Sequence, residues 1–157
     1  MTYSMKKQLL LGEESEQILD RHFAERFTIY PATRQQQRLG IDRIFIQRPS
    51  RLRYLVEYKT DWTADRTGNV FIETVSVDKK KIPGWAYSSQ SDWLVYYTPQ
   101  KQRAFILSFT KLRRLLPEWI QKERAAPPIP NRGYNTLGIL VPLSVFEFAC
   151  QKVEKIG

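Results

Sequence analysis

One cysteine and one histidine in 157 residues remove whole classes of chemistry. Cys150 has no partner for an intramolecular disulfide, a Cys/His zinc site lacks its ligands, and every histidine-based triad would have to use His22. His22 lies between Arg21 and Phe23 in a helical pattern, where a solvated helix-face histidine is expected. The seven glycines stand singly, with neither G-x-G-x-x-G nor G-x-x-x-x-G-K among them, so the common nucleotide cradles are missing. No stretch approaches the ~18 uninterrupted apolar residues needed to span a bilayer, and Leu9, Leu10 and Leu11 run straight into Glu13, Glu14 and Glu16. Neither a signal peptide nor an anchor is expected, and the expected location is cytoplasmic. Chemistry, if there is any, falls to carboxylates, hydroxyls, lysines or oxygen-ligated metals.

At 42% hydrophobic and 26% charged residues the chain has the balance of a globular protein, and its length fits one domain over 1–157. Its charge is lopsided. Twenty-five Lys and Arg against sixteen Asp and Glu leave +9, which favours a polyanionic partner, with nucleic acid the first candidate. Arg34, Arg38, Arg43, Arg48, Arg51 and Arg53 surround only Asp42, Lys79, Lys80 and Lys81 form a run, and Lys111, Arg113 and Arg114 share a helical stretch. A solvated basic surface or an anionic membrane surface would draw on the same charge.

Apolar periodicity orders the rest. Residues 6–26 carry Leu9, Gly12, Glu16, Leu19 and Phe23 on one helical stripe, where Gly12 is expected to leave room for the helix to approach the sheet. Residues 27–32, 40–46, 53–59 and 69–76 read as strands, with a turn at Pro49-Ser50 between the second and third. Lys79 to Ser89 reads as irregular or as a short helix broken at Pro83-Gly84. Residues 93–98 and 103–108 read as a hairpin pair, 110–122 as a helix, 124–134 as a loop rich in proline, and 136–143 as a strand. Ser144 is expected to cap a final helix carrying Val145, Phe148, Ala149 and Val153. One helix, then mostly strands, then a mixture gives an α/β fold with a mixed central sheet flanked by helices.

Two acid-x-Lys matches occur, and spacing alone proves nothing in a chain this charged. Asp78-Lys79-Lys80 sits in a lysine run after a strand and reads as a solvated loop. Glu57-Tyr58-Lys59 instead closes the apolar strand Tyr54-Leu55-Val56, so Leu55, Glu57 and Lys59 share one face by the period of two. Burying charge without a purpose is costly. A two-residue turn at Pro49-Ser50 pairs Asp42 with Glu57 on that face, their Cβ atoms ~5 Å apart. Like charges so placed destabilise a sheet unless a cation lies between them, and a hard divalent ion such as Mg²⁺ would relieve the repulsion. An ordinary salt-bridge cluster in a slipped register is the alternative reading.

The series Gly12-x-x-x-Glu16, Gly40-Ile41-Asp42 and Val56-Glu57-Tyr58-Lys59 resembles the PD-(D/E)xK, or restriction-endonuclease-like, nucleases, over about residues 9–98. The spacing is most similar to the compact Holliday-junction-resolvase-like branch. Ile41 stands where the motif's name has proline, a position that carries no chemistry. The resemblance implies a restriction-endonuclease-like fold and hydrolysis of DNA phosphodiester bonds. It also implies Mg²⁺, with Mn²⁺ as a substitute. Asp42 and Glu57 would be metal ligands, the Tyr58 main-chain carbonyl a further ligand, Lys59 the group that positions or activates water, and Glu16 the acid completing the metal shell. Glu13 and Glu14 lie off the inward stripe. Glu73 and Gln90 are possible additional site residues that hold a water or a phosphate.

Arg34, Arg38, Arg48, Arg51, Arg53, Lys79, Lys80 and Lys81 are the expected nucleic-acid-binding residues, and Trp62, Trp85 and Tyr87 are aromatics able to stack on bases. Asp61 and Asp65 are expected to cap turns. DNA is favoured over RNA because no aromatic single-strand platform is evident in the sequence. Two active sites are needed to cut two strands, so a homodimer or higher homo-oligomer is expected. A catalytically inactive nucleic-acid-binding module of the same fold is the alternative.

Overall fold

The structure, a computed structural model, describes residues 3–157, and nothing is said of the side chains of residues 3–6, 8 and 9. Leu9, counted above on the inward stripe, therefore lies outside the described side chains. Eleven strands and six helices follow one another. They are α1 (Tyr3–Phe23), β1 (Phe27–Pro31), α2 (Arg34–Arg38), β2 (Arg43–Gln47), β3 (Arg53–Thr60), α3 (Ala64–Thr67), β4 (Asn69–Val77), β5 (Ile82–Pro83) and α4 (Trp85–Ser88). Then come β6 (Trp93–Thr98), β7 (Arg103–Ser108), α5 (Phe109–Lys122), β8 (Arg124–Ala125), β9 (Ile129–Pro130), β10 (Asn135–Pro142), α6 (Leu143–Ala149) and β11 (Lys152–Lys155).

The central sheet has six strands in the order β1-β2-β3-β6-β7-β11. All its pairs are antiparallel except β3 with β6, which makes it mixed. A second sheet, β5-β4-β10-β8 with β9 paired to β10, is inserted between β3 and β6 and completed by the later chain. The fold is thus an α/β fold with a mixed central sheet flanked by helices.

Alternation along β3 explains the layering. Val56 and Tyr58 face α1 and join Leu19, Phe23, Phe45, Val95 and Tyr97 in one core. Leu94, Tyr96, Phe105 and Leu107 face the other way and join α5, α6 and the second sheet in a larger core around Phe109, Leu116 and Phe146. Each such fully buried side chain contributes roughly 1.5–3 kcal/mol of hydrophobic stabilisation. Ser108 starts α5 by accepting a hydrogen bond from Lys111 N at 3.1 Å, and the helix buries Phe109, Leu112, Leu116 and Trp119 on one side.

The β2–β3 hairpin keeps the expected register, Arg43 opposite Val56 and Ile46 opposite Arg53. Its loop is longer than the two residues expected, because Arg51 N bonds back to Gln47 O at 2.7 Å and Gln47 N to Leu52 O at 2.8 Å. Both loops conserve the same pairing, so the register survives the difference.

Four expectations are corrected. The chain does not end in a long helix: α6 stops at Ala149 and Val153 lies in β11, which pairs with β7 and forms the edge of the sheet. Ser144 caps nothing, since α6 starts one residue earlier from Pro142 without a side-chain cap. Gly12 does not mark a close approach of α1 to the sheet, because a Cβ built there meets no heavy atom within 4 Å. His22 is not a solvated helix-face residue: its Nε2 lies 2.9 Å from Glu154 Oε1, and Arg26 donates to the same oxygen at 2.6 Å. That pair of contacts ties the end of α1 to β11. Six short elements, α2, α3, β5, β8, β9 and β11, add to the expected set.

Candidate active site

Asp42 sits one residue before β2, where its own N–H bonds to Val56 O at 2.9 Å, beyond the last β2–β3 pair of Arg43 with Val56. Its side chain then does what the next strand residue's backbone would do: Oδ2 accepts from Tyr58 N at 2.8 Å. Asp42 is thereby fixed beside Glu57. The approach to it is set by Gly40, which has φ of +79°, a left-handed conformation that favours glycine. A Cβ at Gly40 would lie 2.8 Å from Ser89 Cα. The Gly40 carbonyl accepts from both Ser89 Oγ at 2.9 Å and Ser91 Oγ at 2.6 Å. Those two serines are buried, so the segment leading into Asp42 is held from the loop before β6.

Glu57 is buried at 4% exposure, although it is charged. Lys59 Nζ lies 3.2 Å from Glu57 Oε1, as two same-face residues of one strand allow. Glu57 Oε2 has no hydrogen-bond partner among the described residues. Burial pushes the Glu57 carboxyl above its ordinary value against the pull of Lys59, and the Asp42 charge adds to the rise. Burial likewise raises Asp42, opposed by the Tyr58 N–H and the Lys59 ammonium. Burial raises both carboxyls, and a divalent cation bound between them would favour their ionised forms.

Tyr58 contributes from the main chain. In a strand a residue's N–H and C=O point to the same side, and the Tyr58 N–H points at Asp42. The Tyr58 carbonyl therefore points past the last β2–β3 pair, toward the same space. An all-oxygen set of Asp42, Glu57 Oε2 and the Tyr58 carbonyl suits a hard divalent cation that keeps several waters, so these residues fit Mg²⁺.

The helix acid Glu16 makes contacts of its own. Among the described residues no group of three or more His, Cys, Asp or Glu side chains is assembled to hold a metal ion. Glu16 is half-buried but taken up by Arg43, whose Nη2 donates to its Oε2 at 3.2 Å. Arg43 also donates from Nε to Asp20 Oδ1 at 3.0 Å and from Nη1 to the Asp42 carbonyl at 2.9 Å, and its guanidinium stacks on the Tyr58 ring. Tyr58 Oη closes the cluster by donating to Asp20 at 2.9 Å. Burial, moderated by Arg43 and reinforced by the Asp42 charge, raises Glu16, so the helix acid lies within electrostatic reach of the pair without joining it. Glu13 and Glu14 are exposed, as expected.

Glu73 Oε2 accepts from Trp85 N at 3.0 Å and secures the first turn of α4. Trp85 in turn lies under Lys59, with Nζ 5.6 Å from the ring centroid. Glu73 thus supports Lys59 through Trp85. Gln90 is exposed, and its N–H bonds to Leu39 O at 2.8 Å. Asp61 caps the turn before α3 through Thr63 N and Ala64 N, both at 2.9 Å, and Asp65 is paired with Arg103.

Of the basic residues, Arg48, Arg51 and Arg53 lie exposed at the tip of the β2–β3 hairpin, and Arg34 and Arg38 lie exposed on α2. Lys79, Lys80 and Lys81 form the turn between β4 and β5 on the second sheet, so they belong to a different edge. Arg113 is turned inward to the Ala86 and Ser89 carbonyls and holds α4 against α5. Among the described residues no helix is long and apolar enough to cross a membrane. Comparison of the chain with family models, curated proteins and solved structures yields no match.

Proposed function

We propose that this chain is a metal-dependent endonuclease of the PD-(D/E)xK type, hydrolysing phosphodiester bonds of DNA. The observation that carries the reading is the nearness of half-buried Asp42 to buried Glu57, whose Oε2 has no hydrogen-bond partner among the described residues, with Lys59 beside it. A cation held by Asp42, Glu57 and the Tyr58 carbonyl would supply Lewis-acid polarisation of a phosphate oxygen and a bound water of lowered pKa.

The chain's own residues do the rest. Asp42 is held by the Tyr58 N–H and by its own N–H bond to Val56, so it presents its other oxygen without reorganising. Lys59 is kept in place by Glu57 and by the Trp85 ring, which leaves a fixed ammonium to orient water and to stabilise negative charge developing on phosphate. Arg43 fixes the carbonyl of Asp42 and ties it to α1. The exposed arginines of the hairpin tip and of α2 supply the phosphate contacts. A homodimer would bring two such sites to two strands.

The test is cleavage of a panel of linear, nicked, flapped and four-way-junction DNAs with Mg²⁺ or with chelator. Cleavage of at least one substrate, dependent on Mg²⁺ and absent in Asp42→Ala, is the expected result. Binding without cleavage across the panel would instead favour a nucleic-acid-binding module of the same fold.

A further inference from the structure

The site-facing side of the first three strands forms rows that continue away from the carboxylate pair. Partners across an antiparallel ladder share a face, so Tyr30, Ile44 and Leu55 form one row and Thr28, Ile46 and Arg53 the next. Leu55 and Arg53 have the parity of Glu57, which puts both rows on its side of the sheet. Successive rows are about 7 Å apart along the strands. The Tyr30 row is therefore the immediate neighbour of Asp42 and Glu57.

This face is not packed shut. Tyr30 is 53% exposed on it and Arg53 is exposed beyond it. Past the Tyr30 row a groove of about 550 Å³ opens, lined by Thr28, Tyr30, Ile46, Arg48, Pro49 and Arg51. The groove ends at Arg48 and Arg51 of the hairpin tip, and Arg53 lies exposed outside it. Arg48 uses one guanidinium nitrogen on the Ala24 carbonyl at 2.7 Å, and Arg51 and Arg53 make no ion pair among the described residues. Asp92, beside Arg53, has its Oδ2 engaged by Leu55 N at 2.8 Å.

We infer that the open face of β1, β2 and β3, from Tyr30 to Arg53, binds a single-stranded segment of nucleic acid leading to the carboxylate pair. The inference rests on the nuclease reading for what lies at the end of the track. Charge chooses a polyanion, and the exposed ring chooses its form. In a duplex the base faces are covered by their neighbours, whereas a single strand offers bare faces for an aromatic side chain to stack on. The apolar floor of Ile44, Ile46 and Leu55 has nothing to gain from a phosphate rail, but it gains from unstacked bases. Arg48, Arg51 and Arg53 then meet the phosphates. A single strand of DNA and one of RNA share this chemistry.

The measurement is equilibrium binding of a labelled DNA single strand, an RNA single strand of the same sequence and the blunt DNA duplex. It is made in chelator, so that cleavage plays no part. Wild type is expected to bind at least one single strand about tenfold or more tightly than the duplex. Tyr30→Ala is expected to weaken that binding about tenfold and to leave duplex binding unchanged, while Tyr30→Trp restores it. Because Tyr30 is half-exposed, its loss leaves the fold intact, and an unchanged unfolding midpoint accompanies the result. Equal affinity for single strand and duplex, no binding of either, or a silent Tyr30→Ala would overturn the inference. Preferential single-strand binding in a protein that never cleaves with Mg²⁺ would sink the nuclease reading and leave this surface standing.

Discussion

At the scale of single residues, the decisive atom is Glu57 Oε2, a buried carboxylate oxygen without a partner among the described residues, with Asp42 held nearby by the Tyr58 N–H. Both carboxyls are raised by burial, and the sign of the consequence follows. A raised carboxyl penalises the ionised native form, and the penalty sets in as pH climbs through the ordinary values of 3.8 for Asp and 4.5 for Glu. In chelator Asp42→Asn is therefore expected to be more stable than wild type at pH 7 by up to about 1 kcal/mol. That gain vanishes below pH 3.8, and denaturant titration at the two pH values reads it. Glu154 behaves oppositely. Burial alone would raise it, but the hydrogen bonds from His22 and Arg26 prevail and hold its carboxyl below the ordinary 4.5. Its contribution is present above 4.5 and is lost as pH falls through the depressed value. Glu154→Gln should cost about 1–2 kcal/mol at pH 7 and much less in acid, which the same titration shows.

Elements decide whether these residues meet. Gly40 turns the chain out of α2 into β2 with a left-handed backbone and packs on Ser89. Gly40→Ala is expected to lose about 2–4 kcal/mol, from the conformational penalty and the clash with backbone, measured by thermal or denaturant unfolding. The strands and the β2–β3 register were legible because a period of two with Ile, Phe, Tyr and Val is a strong local signal, and a hairpin pairs neighbours in sequence. The register was legible as far as Arg43 opposite Val56; Asp42, one residue earlier, bonds to Val56 O and is not among the paired residues. The capture of Glu16 by Arg43 was not legible, since it depends on where a helix lies over a sheet and not on spacing within either. A signal for α2 was present: Thr33 and Gln36 form a reciprocal capping box, with Gln36 N to Thr33 Oγ1 at 3.2 Å and Thr33 N to Gln36 Oε1 at 2.9 Å. β11 is a short edge strand of alternating Lys, Val, Glu and Lys, whose pairing with β7 is a long-range contact no local pattern encodes. The solvent-facing ring of Tyr30 was invisible for the same reason.

For the whole molecule, +9 is spread unevenly, with exposed arginines on the hairpin tip and α2 and lysines on the β4–β5 turn. Nucleic-acid binding is expected to weaken steeply with salt, with a log–log slope of roughly −4 to −8 for about five to nine phosphates contacted. Replacing Arg51 and Arg53 together by Ala should flatten that slope by about 2 without moving the unfolding midpoint, because both side chains are exposed. A slope near zero would assign the charge to something other than phosphate. The central claim is that Asp42, Glu57 and Lys59 form a cation-dependent phosphodiesterase site. It is tested most directly by single-turnover cleavage of a flap-bearing DNA as a function of Mg²⁺, comparing wild type with Glu57→Gln. Glu57→Gln keeps the shape of the side chain and removes its charge. The account requires wild-type cleavage that rises with Mg²⁺ and stops in chelator, and a rate at least about a thousandfold lower in Glu57→Gln at unchanged stability. Cleavage by wild type that persists in chelator, or a Glu57→Gln protein that cleaves at the wild-type rate, would contradict it.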